Sequence, residues 1–182
     1  MPTPTLVVVS GPPGSGKTEL AHAIARAIPC PALCRDEIKE GMVHAYGDDF
    51  EAAAGDPLTR RTLPVFFGVL RTLLAAEVTV VAEAAFQDAI WRQGLEPLTE
   101  LARLRIVQCR ADPAVARERR LSAAGAGGRR AHARIIGEGI DDWERAFASF
   151  EGVSIPAPSI DVDTTDGYAP TLPEIVEFVN RR

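Results

Sequence analysis

Short apolar runs alternate along the chain with longer stretches in which apolar residues recur every three or four positions. The short runs predict buried strands, and the longer pattern predicts amphipathic helices. The predicted strands are Leu6–Ser10, Ala32–Cys34, Val78–Ala82, Leu104–Cys109 and Ser159–Asp163. The predicted helices are Lys17–Ala27, Asp36–Tyr46, about Leu63–Ala76, Ile90–Ala102, Pro113–Ser122, Ala131–Phe150 and Leu172–Asn180. This alternation is typical of an α/β fold, a parallel sheet with helices on both faces.

Local signals mark several ends of these elements. Asp112 before Pro113 predicts an N-cap, and residues 171–174 form a capping box. Pro64 is unfavourable inside a helix, so the third helix is expected to start near Leu63 or to kink there. Residues 47–59 are expected to form a loop, and the Gly/Ala-rich residues 123–128 are not expected to hold a helix.

The first predicted strand and helix are joined by a sequence that binds phosphate. Residues 11–18 read G-P-P-G-S-G-K-T, which matches G-x-x-x-x-G-K-[S/T]. Glycines let successive backbone amides turn toward a phosphate, and the helix that follows presents its positive end. Lys17 is expected to reach the β- and γ-phosphates, and Thr18 to ligate Mg²⁺. The nucleotide contacts are assigned to Gly11, Pro12, Pro13, Gly14, Ser15, Gly16, Lys17 and Thr18.

Composition places the chain among globular proteins with one domain. Its 182 residues are 46% hydrophobic and 25% charged, and we expect a single domain over residues 1–182. No apolar run reaches the length of a membrane span, and the start does not resemble a signal peptide. The three cysteines, at positions 30, 34 and 109, show no metal-ligand spacing and are interpreted as buried thiols. These features predict a cytoplasmic location.

The net charge of −5 disfavours a broad nucleic-acid surface. Of the 20 basic residues only two are lysines, Lys17 and Lys39. A chain that uses arginine almost throughout is expected to keep lysine where a compact charge matters. Lys39 is therefore either a functional cation or a solvated helix position.

Two acids follow predicted strands, at the sheet edge where ligands of parallel sheets bind. Asp36 would face the triphosphate there and could accept a proton from an acceptor hydroxyl. The alternative is that Asp36 only caps the next helix. Glu83 would hold Mg²⁺ through water, or is a plain loop acid. Phe86 would line the acceptor pocket, or belongs to the core, as is expected of Trp91.

An arginine-rich segment at about residues 117–134 predicts a lid over the nucleotide. Arg129 and Arg130 follow the Gly/Ala-rich stretch, and closure would place their guanidinium groups against the γ-phosphate. Arg119 is expected to face the adenine or the phosphates. The alternative for other arginines of this segment, Arg117 and Arg120, is pairing with acids on their own helix.

Together these motifs, with Val162-Asp163-Thr164-Thr165, resemble small P-loop kinases. The group includes chloramphenicol phosphotransferase and the kinase domain of polynucleotide kinase; zeta toxins and gluconate and shikimate kinases are more distant. The resemblance implies a P-loop NTPase three-layer sandwich with strand order 2-3-1-4-5. It also implies that Asp36, preceded by Arg35, is the base for the acceptor hydroxyl, and that Lys39 contacts an acceptor phosphate.

The sequence therefore predicts an ATP- and Mg²⁺-dependent kinase that phosphorylates a hydroxyl of a small molecule. The acceptor contacts would come from Arg35, Asp36, Lys39 and Phe86. One alternative is a 5′-hydroxyl polynucleotide kinase, which needs a basic channel for the strand. Another is a non-catalytic ATP-binding regulatory module. A membrane partner is not expected, and both a monomer and a homo-oligomer are compatible with the sequence.

Overall fold

The computed structural model describes residues 3–47, 56–125 and 140–181. The strands are β1 (Thr5–Ser10), β2 (Ala32–Cys34), β3 (Val80–Ala84), β4 (Arg103–Arg110) and β5 (Ser159–Asp163). The helices are α1 (Lys17–Ala27), α2 (Arg35–Tyr46), α3 (Pro57–Ala75), α4 (Asp88–Leu95), α5 (Pro113–Gly125), α6 (Ile140–Ala148) and α7 (Leu172–Asn180).

The five strands form one parallel sheet in the order β2-β3-β1-β4-β5. This confirms the fold class and the strand order implied by the resemblance. The register pairs Glu83 of β3 with Val9 of β1 on one side and with Cys34 of β2 on the other. Because the strands are parallel, the residues that follow β1, β2 and β3 emerge at the same edge of the sheet.

Helices cover both faces of the sheet, so all six residues of β1 are buried. Leu6 and Val8 pack on one face with residues of α3 and α4, including Phe66 and Trp91. Val7 and Val9 pack on the opposite face with residues of α1 and α7. Burial on two faces explains why β1 is a continuous apolar run and not an alternating one.

Helix α3 starts before the position expected from Pro64. Its first turn is fixed by Asp56, whose side chain accepts a hydrogen bond from the Thr59 amide, and by Pro57 in the first turn. Buried residues recur every four positions across the proline, at Leu58, Thr62, Phe66, Leu70 and Leu74. The prediction of a start near Leu63 was wrong because this packing stabilises the helix on both sides of Pro64.

Smaller differences occur at three other elements. β3 lies two residues later than predicted because Glu77, with φ of 62°, forms a turn before it. The predicted helix 90–102 is shorter: α4 ends at Leu95, and a 3-10 turn with Pro97 follows. α5 continues to Gly125, so residues 123–125 are helical, contrary to expectation. The predicted helix 131–150 is described only from Ile140, and its described part ends at Ala148.

Both predicted caps are confirmed. The Asp112 carboxylate accepts hydrogen bonds from the amides of Ala114 and Val115, at 2.8 and 3.3 Å. The Glu174 carboxylate accepts from the Thr171 amide at 2.8 Å, as a capping box requires.

Candidate nucleotide and acceptor site

The loop at residues 11–18 joins β1 to α1, and its surroundings require glycine. Gly14 and Gly16 have φ of 82° and 70°, in the region that favours glycine. A Cβ on Gly14 would lie 2.1 Å from the carbonyl oxygen of Ala116 in α5. Gly16 is the residue that precedes α1, so the free amides of the helix start open onto the loop. The loop therefore has the backbone conformation needed to bind a phosphate.

Two buried polar side chains of this loop fit a phosphate ligand. Ser15 Oγ is buried and has no hydrogen-bond partner among the described residues. An unpaired buried hydroxyl costs roughly 1–3 kcal/mol. Lys17 is 7% exposed, and the one hydrogen bond that its Nζ donates within the described part of the chain is long, 3.4 Å, to the Pro12 carbonyl oxygen. Phosphate oxygens would satisfy both groups.

Thr18 and Glu83 bring a hydroxyl and a carboxylate together beside the phosphate loop. The Thr18 hydroxyl donates to Glu83 Oε2 at 3.2 Å, and Lys17 Nζ lies 3.8 Å from Glu83 Oε1. Glu83 is 1% exposed, at the carboxyl end of β3 and not in a loop. The pKa of the Glu83 carboxyl is raised, mainly by burial and also by the Asp36 carboxylate. The Lys17 ammonium group opposes this and lowers the pKa. These oxygens are of the type that Mg²⁺ binds directly or through water.

Asp36 lies in the first turn of α2 and is not the cap of that helix. The residue that precedes α2 is Cys34, so the capping alternative was wrong. Arg35 Nη1 donates to Asp36 Oδ1 at 2.7 Å. The Asp36 side chain is 31% exposed, and its charge acts on Glu83. An accessible carboxylate therefore lies close enough to the buried acid of β3 to act on it by its charge.

Lys39 is buried and paired, which excludes the interpretation as a solvated helix position. Its Nζ donates to Asp56 Oδ2 at 2.7 Å, and both residues are 4% exposed. Burial raises the pKa of Asp56, but hydrogen bonds from Lys39 and Thr59 outweigh it and lower the pKa to about 2. The pair joins α2 to the start of α3. Contact of Lys39 with an acceptor stays a prediction. An acceptor would have to compete with Asp56 for the Lys39 ammonium group.

The described part of the predicted lid places Arg119 beside the phosphate loop. Its Nη2 donates to the carbonyl oxygens of Thr164 and Thr165 at 2.8 and 3.1 Å. A Cβ on Gly16 would lie 3.4 Å from its Nη1. Contact of Arg119 with a nucleotide stays a prediction. The position of Arg119 beside the phosphate loop favours that contact. Arg129 and Arg130 lie outside the described residues.

Phe86 and Trp91 belong to an aromatic cluster of the core. Trp91 is fully buried, and its Nε1 donates to Ser10 Oγ at 3.1 Å. The Phe86 ring packs edge-on against those of Phe66 and Trp91, with centroids 5.7 and 5.2 Å apart. Because Phe86 is 9% exposed, most of its ring is in the core. Its predicted acceptor contact is restricted to the exposed edge.

A cavity of about 590 Å³ lies beside the phosphate loop. Gly11 and Pro12 of the loop line it, together with Gln108 and Arg110 of β4. Phe147, from the end of α6, also lines it. The cavity is large enough for a small molecule.

Three features of the site were missed at the level of sequence. Thr164, noted only as part of a family motif, donates its hydroxyl to the Ser15 carbonyl oxygen at 2.7 Å and so supports the loop. Asp56 was not singled out as the partner of Lys39. His22, Cys34 and Glu37 were not connected, although their side chains meet on one side of the site. Each of these features joins residues that are distant in sequence, and no fixed spacing between residues predicts such a contact.

The chain matches the AAA domain family over residues 6–148. Among solved structures, it is similar to a protein described as a candidate kinase from Chloroflexus aurantiacus J-10-fl, with 25% identity, a TM-score of 0.84, and coverage of 98% of this chain and 97% of the other. The APS kinase of Mycobacterium tuberculosis, solved with AMPPNP and APS, is 16% identical, with a TM-score of 0.67 and full coverage of both chains.

A gluconokinase from Sinorhizobium meliloti is 17% identical, with a TM-score of 0.56 and coverage of 97% and 89%. A search of the curated proteins gives no match. None of the helices within the described residues is long and apolar enough to cross a bilayer. The family match covers most of the chain, and the strand order and phosphate loop agree with it. The chain therefore belongs to the AAA domain family and has the fold of a P-loop kinase.

Proposed function

We propose that the protein transfers the γ-phosphoryl group of ATP to a hydroxyl of a small molecule. The observation that supports this most directly is the meeting of Lys17, Thr18, Glu83 and Asp36 at one edge of the sheet. Phosphoryl transfer needs phosphate positioning, charge neutralisation and a group that orients the nucleophile. These residues supply all three.

The phosphate loop positions the donor. The amides at the start of α1, Ser15 Oγ and Lys17 Nζ bind the phosphate oxygens. Arg119 of α5 lies beside the phosphate loop and donates hydrogen bonds to the loop after β5. Thr18 and Glu83 are the residues that would hold Mg²⁺. The ion, when bound, neutralises charge on the β- and γ-phosphates. We assign to Arg129 and Arg130 the stabilisation of the negative charge that develops on the transferred phosphoryl group.

Asp36 acts on the acceptor. The Asp36 carboxylate orients the acceptor hydroxyl and accepts its proton. At the same time the hydroxyl oxygen bonds to the γ-phosphorus, and the bond between the γ-phosphorus and the β–γ bridging oxygen breaks. Arg35 holds one of its oxygens at 2.7 Å and so fixes the carboxylate. The accessible fraction of Asp36, 31%, leaves room for a substrate hydroxyl.

The two alternative functions are less well supported. A polynucleotide acceptor needs an accessible basic channel, and Lys39, a cation of the same helix as Asp36, is buried against Asp56 and is not available to one. A regulatory module that only binds ATP has no use for an accessible carboxylate at this position. Acids of α2, Glu37 and Glu40, favour a cationic or polyhydroxylated acceptor such as an aminoglycoside-like compound.

The test is ATP consumption with Mg²⁺, measured as ADP release, with and without polyols, aminosugars and 5′-hydroxyl oligonucleotides. The proposal expects a small hydroxyl compound to stimulate release, and Lys17→Ala to remove the stimulation. Stimulation only by the oligonucleotide would show that the acceptor is the 5′-hydroxyl end of a nucleic acid and not a small molecule. Binding of ATP with no transfer to any acceptor class would favour the regulatory module.

A further inference from the structure

A second group of potential ligands lies beside the phosphate site. His22 comes from the middle of α1, Cys34 is the last residue of β2, and Glu37 lies in the first turn of α2. His22 Nε2 lies 2.7 Å from Glu37 Oε1 and 3.7 Å from Cys34 Sγ. One ligand atom from each side chain lies within 4.8 Å of those of the other two.

We propose that His22, Cys34 and Glu37 bind a thiophilic divalent cation of the zinc type. Imidazole nitrogen, thiolate sulfur and carboxylate oxygen are the three ligand types that zinc uses in proteins. Zn–S and Zn–N bonds of about 2.3 and 2.0 Å place sulfur and nitrogen about 3.5 Å apart in a tetrahedron. The observed separation of Sγ and Nε2, 3.7 Å, is within about 0.2 Å of that value.

The Glu37 carboxylate needs only a small movement to complete the site. A tetrahedral ion would separate its oxygen from His22 Nε2 by about 3.3 Å, compared with 2.7 Å in the structure. The Glu37 side chain is 47% exposed and that of His22 is 36% exposed. Both can therefore adjust, and they leave an entry path from solvent. Cys34, 2% exposed, forms the floor of the site.

The ligands of this site differ from those of Mg²⁺, although the two sites are adjacent, since Cys34 also forms a side-chain hydrogen bond with Glu83. Thr18 and Glu83 offer only oxygen atoms, which the hard magnesium ion prefers. The sulfur and nitrogen ligands of the second site select a softer ion. Three protein ligands leave the fourth position of a tetrahedron for water, as in zinc sites that are not purely structural. On binding, the ion replaces the thiol proton, which passes to solvent.

The test uses Co²⁺ alone, titrated into the nucleotide-free protein under reducing conditions. The proposal expects one equivalent to give the sulfur-to-cobalt charge-transfer band and the strong visible bands of a tetrahedral ion. Cys34→Ser should abolish the charge-transfer band. Cys109→Ser, which removes another buried thiol of equal exposure, should retain it. His22→Gln and Glu37→Gln change accessible positions and should weaken Co²⁺ affinity at least about tenfold.

Thermal unfolding gives an independent measurement. Zn²⁺ should raise the Tm of the wild type and of Cys109→Ser, because a ligand that binds the folded state stabilises it, but not that of His22→Gln. The proposal is overturned if the wild type gives no charge-transfer band at stoichiometric Co²⁺. It is equally overturned if the band survives in Cys34→Ser or if His22→Gln binds Co²⁺ as tightly as the wild type.

Discussion

Lys39 and Asp56, 17 residues apart, form a buried ion pair with Nζ and Oδ2 separated by 2.7 Å. Asp56 also accepts the Thr59 amide, at 2.8 Å, and so starts α3. One carboxylate thus fixes the start of α3 and ties it to α2, the helix that carries Asp36. We infer that the pair positions the acceptor side of the site.

Removal of one partner of this pair should destabilise the protein. Lys39→Met leaves the Asp56 carboxylate buried without its cation, and the expected loss is roughly 3–5 kcal/mol of unfolding free energy. The double variant Lys39→Met/Asp56→Asn should recover part of that loss because neither charge remains. Urea unfolding followed by circular dichroism measures both. If Lys39→Met is as stable as the wild type, the pair is not structural and Lys39 is available to an acceptor.

The same pair predicts an acid-sensitive contribution to stability. The pKa of Asp56 is lowered in the folded protein from 3.8 to about 2. Its contribution is therefore complete above pH 3.8 and is lost as the pH falls toward 2. The difference in unfolding free energy between the wild type and Asp56→Asn should be largest near pH 5 and shrink toward pH 2. A constant difference over that range would contradict the assignment.

Lys17→Ala should abolish phosphoryl transfer and weaken ATP binding without unfolding the protein. The side chain neutralises phosphate charge, and both of its contacts are long: 3.4 Å to the Pro12 carbonyl oxygen and 3.8 Å to Glu83 Oε1, compared with 2.7 Å for the Lys39–Asp56 pair. Calorimetric titration with ATP and Mg²⁺ measures the affinity. Arg26→Ala, which removes an exposed cation from the last turn of the same helix, is the matched control and should bind normally. Turnover close to wild type in Lys17→Ala would remove the loop from the catalytic site.

Arg129→Ala or Arg130→Ala should lower kcat more than ATP affinity. A guanidinium group that acts on developing charge is worth roughly 10³–10⁵ in rate, so at least one of the two variants should lose activity on that scale. Steady-state kinetics with Arg60→Ala, an exposed arginine of α3, provides the control. If both variants keep their kcat, the predicted lid supplies no catalytic arginine.

The phosphate loop could be located from sequence because its atoms lie within eight consecutive residues. β1, β2 and β5 could also be located closely, since short apolar runs have few alternatives. The strand order came from the resemblance, because a pattern of helices and strands does not specify which strands are neighbours. The start of α3 was missed because a distant lysine and a packed helix face outweigh the local effect of Pro64.

The remaining parts of the site depend on contacts between distant residues. Lys39 could be singled out by composition, but only the packing of α2 on α3 identifies Asp56 as its partner. His22 lies on a helix and Cys34 on a strand, and the spacing of residues in the sequence does not predict that these two side chains face each other. The position of Asp36 beside Glu83 was predictable in outline, since both follow or end strands that share one sheet edge.

The most direct test of the proposed function is the kcat of Asp36→Asn with the acceptor found in the ATP-consumption assay. The amide keeps the size of the side chain but accepts no proton, so kcat should fall about 10²–10⁴-fold, while ATP affinity stays the same or rises. Glu177→Gln, which removes an exposed carboxylate from α7, is the control and should keep its activity. A full kcat in a folded Asp36→Asn variant would show that Asp36 is not the base and would contradict the proposed mechanism.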